Sequence, residues 1–529
     1  MITIEVEMMR ILALVAALGA FGAEPAALAP AKMPRLGTVD ERFQSFNVEM
    51  VEVTGGRFWA PYRDAGKAAE PAAGPKLAVP AIDPSLFRTR EPIDLESPRL
   101  RKLAAGIGPS YVRVSGTWAN STYFHDSDSP APATPPEGFG GILTRKQWKG
   151  VVDFSQAVNS KIITSFTISA GVRDANGVWV PDQARKLLLY TKSIGGNIAA
   201  AEFFNEPSFA GMGGAPKGYD AASYGRDIAV FLPFVRKAAP GMLVLGPGSV
   251  GEGGPMGSSG LPGSIKSEDM LKATGPGVDA FSYHFYSGVS KRCANMGSAL
   301  QTTPEAALSE EWLARTDRDA AYYMALRDRF EPGKPMWLTE TGETACGGNP
   351  WASTFVDTFR YLDQLGRLAR KGVQVVAHNT LAASDYGLID EETLTPRPSY
   401  WAALMWSRLM GKTVLDAGGS APASVHLFAH CLPGREGGVT VLAINLDQAS
   451  AHTLSLPKSS ERFTLASSSG LRTSTVELNG TPLKMGGDDE KLPGRKGVKA
   501  AAGQVKLGPA SITFLAIPEA GNASCRSQD

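Results

Sequence analysis

Two glutamates in this chain have the surroundings of reacting groups. Glu206 stands in Phe203-Phe204-Asn205-Glu206-Pro207-Ser208-Phe209, and Glu340 in Met336-Trp337-Leu338-Thr339-Glu340-Thr341-Gly342. Each follows a short apolar run of strand character. A pair of carboxyl groups held at strand ends is what cleavage of a glycosidic bond needs. One protonates the departing oxygen, and the other attacks the anomeric carbon. Asn205 supports the acid/base role for Glu206, because a neighbouring amide can hold a sugar 2-hydroxyl. Pro207 restricts the chain just after it. Glu340 is then the expected nucleophile. Glu202 and Glu343 compete for these roles. Glu202 shares a face with Glu206 by alternation but is expected deeper, near the start of its strand. Glu343 falls in the following loop, where it is expected to be less firmly held.

Groups of this kind need a scaffold that brings distant strand ends together. Short β-rich runs alternate with helical patterns from about residue 43 to 408. The runs are Phe43–Glu49, Tyr111–Val114, Lys161–Phe166, Ala201–Phe204, Leu243–Leu245, Ala280–His284, Met336–Thr339 and Val373–Ala377. Helical stretches include Asp182–Ser193, Tyr224–Lys237, Thr303–Phe330 and Ala352–Arg370. In the last, Phe355, Phe359, Leu362, Leu365 and Leu368 recur at helical spacing. This alternation predicts an α/β chain with a (β/α)8 barrel, whose catalytic groups sit at the C-terminal ends of the strands. An open doubly wound sheet is the rival, but no G-x-G-x-x-G turn follows an early strand. Further polar groups gather at the same predicted ends. Glu49 closes the first strand, Thr117, Trp118 and Asn120 follow the second, and His284 and Tyr286 end the sixth. A Tyr hydroxyl at Tyr286 could hold an ionised nucleophile.

After Gly411 the texture changes to strand candidates Val425–Phe428, Val439–Asn445, Thr473–Leu478 and Ser511–Ile517, separated by Gly/Ser/Pro-rich turns. The reading is therefore a barrel over residues 41–408 and an antiparallel β-sandwich over 409–529, with residues 32–40 a candidate extra strand of the sandwich. Ala65–Pro75 and Gly251–Gly263 read as surface loops. Arg10, the apolar run Ile11–Phe21 and small residues through Ala31 have the order of a secretory signal over residues 1–31, implying a secreted or periplasmic protein. The apolar run is too short for a membrane span.

An exported chain with four cysteines invites two disulfides, with three possible pairings. Cys293 with Cys346 and Cys431 with Cys525 are favoured. The first two follow segments with candidate chemistry, and the last two share the C-terminal part. No metal site is expected, since CxxC spacing is absent and the six histidines are scattered. The balance of 53 basic against 52 acidic residues argues against a nucleic-acid-binding protein, which needs a basic surface.

In its ordered pieces the sequence resembles glycoside hydrolase family 79, the heparanase and β-glucuronidase group. The pieces are Ser110-Tyr111-Val112-Arg113-Val114-Ser115-Gly116-Thr117, Asn205-Glu206-Pro207, Tyr283-His284-Phe285-Tyr286, Trp337–Thr341 followed by Gly347-Gly348, Leu362–Gly366, Tyr386–Glu391 and Pro398–Trp401. The resemblance implies the same two roles for Glu206 and Glu340, and makes Tyr286 the Tyr near the nucleophile. It also implies that Gly347, Gly348 and Tyr386 hold a uronic-acid carboxylate and that Glu49 binds sugar. Glycines suit this task because backbone N–H groups can approach an anion closely. Cys431 and Cys525 resemble the disulfide of the family's β domain. Two departures stand out against animal heparanases: one extra residue lies between Glu340 and the glycine pair, and Cys346 stands where a Tyr is usual.

The resulting expectation is a retaining β-D-glucuronidase that removes terminal glucuronosyl units from a β-glucuronide substrate and uses no cofactor. The near-zero charge tilts this reading away from an endo-acting, heparanase-like hydrolase of glycosaminoglycans. A hydrolase of neutral sugars and a non-catalytic carbohydrate-binding protein are the remaining rivals.

Overall fold

The computed structural model describes residues 26–64, 84–258, 264–418, 421–486, 492 and 496–526. Eight parallel strands close into a barrel: β1 Gln44–Glu49, β2 Ser110–Ser115, β3 Ser160–Ser165, β4 Ile198–Glu202, β5 Leu243–Val250, β6 Ala280–Tyr286, β7 Met336–Gly342 and β8 Val373–His378. Each lies beside its neighbour in chain order, and β8 pairs with β1 to complete the circle. All eight anticipated strands are present. β4 differs, because it ends at Glu202 and leaves Phe203 and Phe204 in the loop beyond it.

Alternation along the strands builds the interior in layers. Tyr111, Ile163, Ala200, Leu245, Trp337 and Val375 form an apolar plug at one level, with the Tyr111 and Trp337 rings 4.9 Å apart. Two residues further along, the same faces carry Arg113 on β2, Glu202 on β4, Ser282 on β6 and Thr339 on β7. These are polar and bonded to one another. The barrel thus changes from a dry plug to a charged layer within one step of the strand period.

The helices shield the outside. Phe355–Arg370 carries its predicted apolar stripe and is buried along most of its length. Gly366 lets it approach the second domain, since a Cβ there would meet the Phe428 ring at 2.3 Å. The long stretch expected over Thr303–Phe330 is broken, with a continuous helix only over Arg315–Phe330.

Beyond the barrel, β9 Thr413–Leu415, β10 Val425–Cys431, β11 Val439–Asn445, β12 His452–Leu456, β13 Ser460–Ala466, β14 Gly503–Leu507 and β15 Ser511–Ile517 make two packed sheets. In the larger, nine-stranded sheet, Arg35–Thr38 pairs antiparallel with β9. In the smaller, β12 lies between β14 and the short strand Ala26–Ala27. β11 is buried on both faces. Val439, Val441 and Ala443 meet the small sheet, while Leu442 and Ile444 meet the core that includes the barrel helices. Two expectations need correction. Of Thr473–Leu478 only Glu477–Leu478 is strand, and β9, β12, β13 and β14 were not anticipated.

The leader expected over residues 1–31 lies mostly outside the described residues, but its end does not. Ala26 and Leu28 are buried in the sandwich core, and Asn522 Nδ2 donates to the Pro30 carbonyl at 2.7 Å. Residues 26–31 therefore pack as part of the sandwich, with Ala26–Ala27 an edge strand of its smaller sheet. The Ala65–Pro75 loop and the end of Gly251–Gly263 also lie outside the described residues. Among the described residues no helix is long and apolar enough to cross a membrane.

Candidate active site

The C-terminal ends of the strands surround a cavity of about 140 Å³ that contains both Glu206 and Glu340. A larger hollow of about 800 Å³, lined by residues such as Glu310, Arg367 and His426, lies between barrel and sandwich, away from these strand ends.

Glu340 enters the interior through an irregularity in β7. Thr339 already points inward, so strict alternation would send Glu340 outward. The pairing between β6 and β7 slips at this level, however, so that Tyr283 opposes Leu338 and His284 opposes Glu340. The extra residue turns two consecutive side chains towards the barrel. Glu340 Oε2 accepts from Arg113 Nη1 at 2.7 Å, and Oε1 accepts from the Tyr286 hydroxyl at 2.8 Å. Both oxygens are acceptors, the hydrogen-bonding role of a carboxylate.

Glu206 is held differently. It follows β4 in the left-handed region, φ 49° and ψ 62°, and begins the short turn Pro207–Phe209. Such conformations in a non-glycine residue concentrate at functional sites. Its side chain is 20% exposed, against 8% for Glu340. His284 Nδ1 lies 3.1 Å from Glu206 Oε1. Burial raises the Glu206 pKa, the His284 hydrogen bond opposes this, and the charge of Glu340 raises it again. The Glu206, His284 and Glu340 ligand atoms all fall within 4.8 Å of one another.

Arg113 organises this cluster from below and is only 1% exposed. Nε and Nη2 donate to Glu202 Oε2 at 3.1 and 2.8 Å, and Nη2 also donates to Asn205 Oδ1 at 2.8 Å. Glu202 Oε1 accepts from Ser282 and Thr339. Burial would raise the Glu202 pKa, but Arg113 and His284 hold it well below the usual carboxylate range. The expectation that Glu202 lies near the start of its strand is corrected: it is the last residue of β4, and Arg113 occupies its carboxylate. Glu343 is also corrected. It is fully buried and firmly held, accepting from Asn349 N at 2.8 Å, Asn349 Nδ2 at 3.1 Å and Thr344 Oγ1 at 2.7 Å.

Burial alone would lower the pKa of His284, but the charge of Glu340 and hydrogen bonds to Glu202 and Glu206 raise it to about 9. The 3.2 Å approach of Nε2 to Arg113 Nη2 suits a neutral ring. The charge of Glu340 and the hydrogen bonds to Glu202 and Glu206 outweigh it and favour the imidazolium. The same cluster is the one group of three metal-ligating side chains this close together among the described residues. Arg113 already supplies its counter-charge, which makes a further cation costly there.

The remaining residues divide between cavity wall and support. Glu49, Thr117, Tyr286 and Tyr386 line the cavity. Asn120 stands behind it, bonded to both the N–H and the carbonyl of Asn205 at 2.8 and 2.9 Å. His284 and Asn205 likewise support from the buried layer. Gly347 and Gly348 follow Cys346, which is itself on the wall, and all three adopt positive φ. Gly116 is required by Glu49, because a Cβ there would sit 1.5 Å from the Glu49 carboxylate. Sequence reasoning missed Asn379, one residue past β8. Its Nδ2 donates to the Tyr286 hydroxyl at 2.9 Å and approaches the Tyr386 hydroxyl at 3.3 Å. Its place at a strand end was the available signal. Arg113 and the wall residues Phe58 and Trp59 were also not singled out.

This arrangement of a closed barrel with two carboxyl groups at the ends of β4 and β7 can be compared with known proteins. The model of the glycosyl hydrolase family 79 N-terminal domain matches residues 93–366, across β2 to β7. This chain belongs to glycoside hydrolase family 79. It is a glycosidase by that membership. Among family relatives, it is 28% identical to heparanase of Rattus norvegicus over 490 residues, covering 82% of this chain and 87% of that protein. It is 28% identical to heparanase-like protein 1 of Arabidopsis thaliana, covering 69% and 67%. With hyaluronoglucuronidase of Hirudo nipponia the identity is 27%, covering 84% and 95%. The fold of this family 79 chain also resembles a GH51 arabinofuranosidase from Xanthomonas axonopodis pv. citri, with TM-score 0.61 and 15% identity over 93% of this chain and 99% of that one.

The structure contains the disulfides Cys293–Cys346 and Cys431–Cys525, the favoured pairing. The first joins the loops after β6 and β7 beside the cavity, and the second lies within the sandwich.

Proposed function

We propose that this family 79 glycosidase is a retaining β-D-glucuronidase acting on terminal glucuronosyl units. The observation that carries the reading is the approach of Glu206 and Glu340 oxygens to within 4.8 Å, inside a cavity of about 140 Å³. Carboxyl groups about 5–5.5 Å apart suit direct attack, whereas inversion needs about 6.5–9.5 Å to admit a water.

In this mechanism Glu340, oriented by Arg113 and Tyr286, attacks C1 while Glu206 protonates the departing oxygen. The bond to the leaving group breaks, and a glycosyl ester forms on Glu340. Glu206, now ionised, takes a proton from water, which attacks C1 and releases the sugar and Glu340. The raised pKa of Glu206 favours the protonated acid needed in the first step. His284 can stabilise the carboxylate that Glu206 becomes.

Among the described residues the titratable acids on the lining are Glu49, Glu206 and Glu340, the first two raised towards the neutral form, and aromatic and aliphatic side chains supply much of the rest. Sulfated units at this depth would face acidic groups, whereas a single uronate needs few donors. Burial and the charge of Glu340 raise Glu49 well above the ordinary range, leaving it able to donate to a sugar hydroxyl. The uronate carboxylate would be received by Tyr386 and the N–H groups of Gly347 and Gly348. The two disulfides fit an oxidising compartment and support secretion.

A second reading, endo-cleavage of a glucuronate-containing glycosaminoglycan, is favoured by the relatives named heparanase and hyaluronoglucuronidase. Comparing an aryl β-glucuronide with heparan-sulfate and hyaluronan oligosaccharides tests both. Turnover of the aryl glucuronide with the β-anomer formed first supports the proposal. Internal cleavage of the oligosaccharides, or first release of the α-anomer, would overturn it.

A further inference from the structure

One rim of the cavity is tied together by contacts that the chemistry itself does not require. The loop after β6 runs beside the loop after β7: Val289 bridges Ala345, Ala345 N donates to the Gly288 carbonyl at 3.0 Å, and Ser290 N donates to the Ala345 carbonyl at 3.0 Å. Ser290 Oγ donates to the Cys346 carbonyl and Lys291 N to Asn349 Oδ1, at 3.0 and 2.9 Å. The Cys293–Cys346 disulfide then joins the two loops covalently, with Cys346 on the cavity wall and Cys293 buried behind it.

The residue before Cys293 extends this connection to two more loops. Arg292 is a charged side chain only 4% exposed. Its Nη1 donates to the Ala60 carbonyl at 2.6 Å, and Nη2 donates to Asp385 Oδ2 at 2.8 Å. The guanidinium lies 4.1 Å from the Tyr62 ring centroid, and Tyr62 N donates to the same Asp385 carboxylate at 3.0 Å. Ala60 follows the wall residues Phe58 and Trp59, and Asp385 precedes the wall residue Tyr386. Loops following β1, β6, β7 and β8 therefore meet at Arg292 and Cys293. A desolvated Arg with several fixed partners holds geometry well, because its planar fork loses little freedom for each bond made. Cys346 is also a non-glycine residue at φ 63°, a conformation that needs surrounding structure to maintain it.

We propose that Arg292 and the Cys293–Cys346 disulfide form a strap that fixes this rim of the sugar pocket and so restricts the enzyme to chain-terminal sugars. The inference rests on the terminal-unit reading above and names the device behind it. The strap residues are positioning residues: Cys346 shapes the wall, and Arg292 holds the backbones that carry Trp59 and Tyr386.

The test compares the unmodified enzyme with a Cys293→Ser/Cys346→Ser variant on an aryl β-glucuronide and on a hyaluronan oligosaccharide whose products are sized. The unmodified enzyme should release only terminal units. The variant should show KM for the aryl glucuronide raised about fivefold or more with kcat changed less than twofold, and should release internal fragments. Dithiothreitol should raise KM of the unmodified enzyme reversibly but leave the variant unchanged. Arg292→Gln, which keeps the disulfide, provides the same comparison if the double variant does not fold. End-only products with unchanged KM in a folded variant would overturn the strap. Internal cleavage by the unmodified enzyme would instead overturn the terminal-unit reading beneath it.

Discussion

Arg113 reaches Glu340 across 227 positions of sequence, with Nη1 donating to Oε2 at 2.7 Å inside the barrel. The other side of the same guanidinium neutralises Glu202, so one cation serves two buried carboxylates. Breaking a buried ion pair from one side leaves the remaining charge desolvated and unpaired. Arg113→Met should therefore lower stability by about 3 kcal/mol or more. Arg113→Lys should retain part of that stability but lose most activity, since an ammonium cannot reproduce the fork. Thermal unfolding and kcat on an aryl β-glucuronide measure both, and a near-normal kcat for the Lys variant would contradict this account.

Glu340→Gln should abolish turnover of the aryl glucuronide while leaving the circular dichroism spectrum unchanged. Tyr286→Phe removes one donor to Glu340 and, in the proposed mechanism, should reduce kcat about tenfold to a hundredfold, as expected for a hydrogen bond to a charged group. Full activity in the Gln variant would assign the nucleophile elsewhere.

The pH dependence divides between two coupled groups. The proposed mechanism needs Glu206 protonated, so activity should fall as pH rises through its raised pKa. His284 lowers that pKa, so His284→Gln should move the alkaline limb of kcat/KM to higher pH. His284 itself is raised from 6.5 to about 9 in the fold. Its stabilising contribution is complete below about 6.5 and is lost as pH rises through about 9. The variant should show a flatter melting temperature across this window. An unchanged slope, or an alkaline limb moving to lower pH, would refute the assignment.

Gly116 makes room for Glu49. Gly116→Ala places a Cβ 1.5 Å from the Glu49 carboxylate, at a backbone φ of +93°. Glu49 must then withdraw from the wall, and KM for the aryl glucuronide should rise at least several-fold. Glu49→Gln should reproduce part of the increase without the backbone strain, and an unchanged KM in both variants would remove Glu49 from sugar binding.

The Cys431–Cys525 disulfide spans 94 residues of sequence within the sandwich, away from the cavity. Its removal by paired Ser substitutions should cost about 2–4 kcal/mol of stability and leave KM unchanged. Denaturant unfolding and kinetics on the same preparation check the contrast with Cys293–Cys346, whose loss is expected to alter KM.

Local pattern was enough to place all eight barrel strands and to put Glu206 and Glu340 near their ends, because strand period and helix period leave different apolar spacings in the chain. The strands β12, β13 and β14 were harder to read, since pairing and burial, more than their own composition, make them strands. Tertiary structure alone decided which neighbours the two glutamates have. The slip beside Leu338 brings Glu340 inward, Arg113 couples β2 to β4 and β7, and Arg292 gathers four loops. Composition and residue type along the chain thus supplied the two candidate carboxyl groups and their scaffold. Their charge states, orientation and pocket walls came from contacts between residues far apart in sequence, where burial and low polarity magnify each charge that remains.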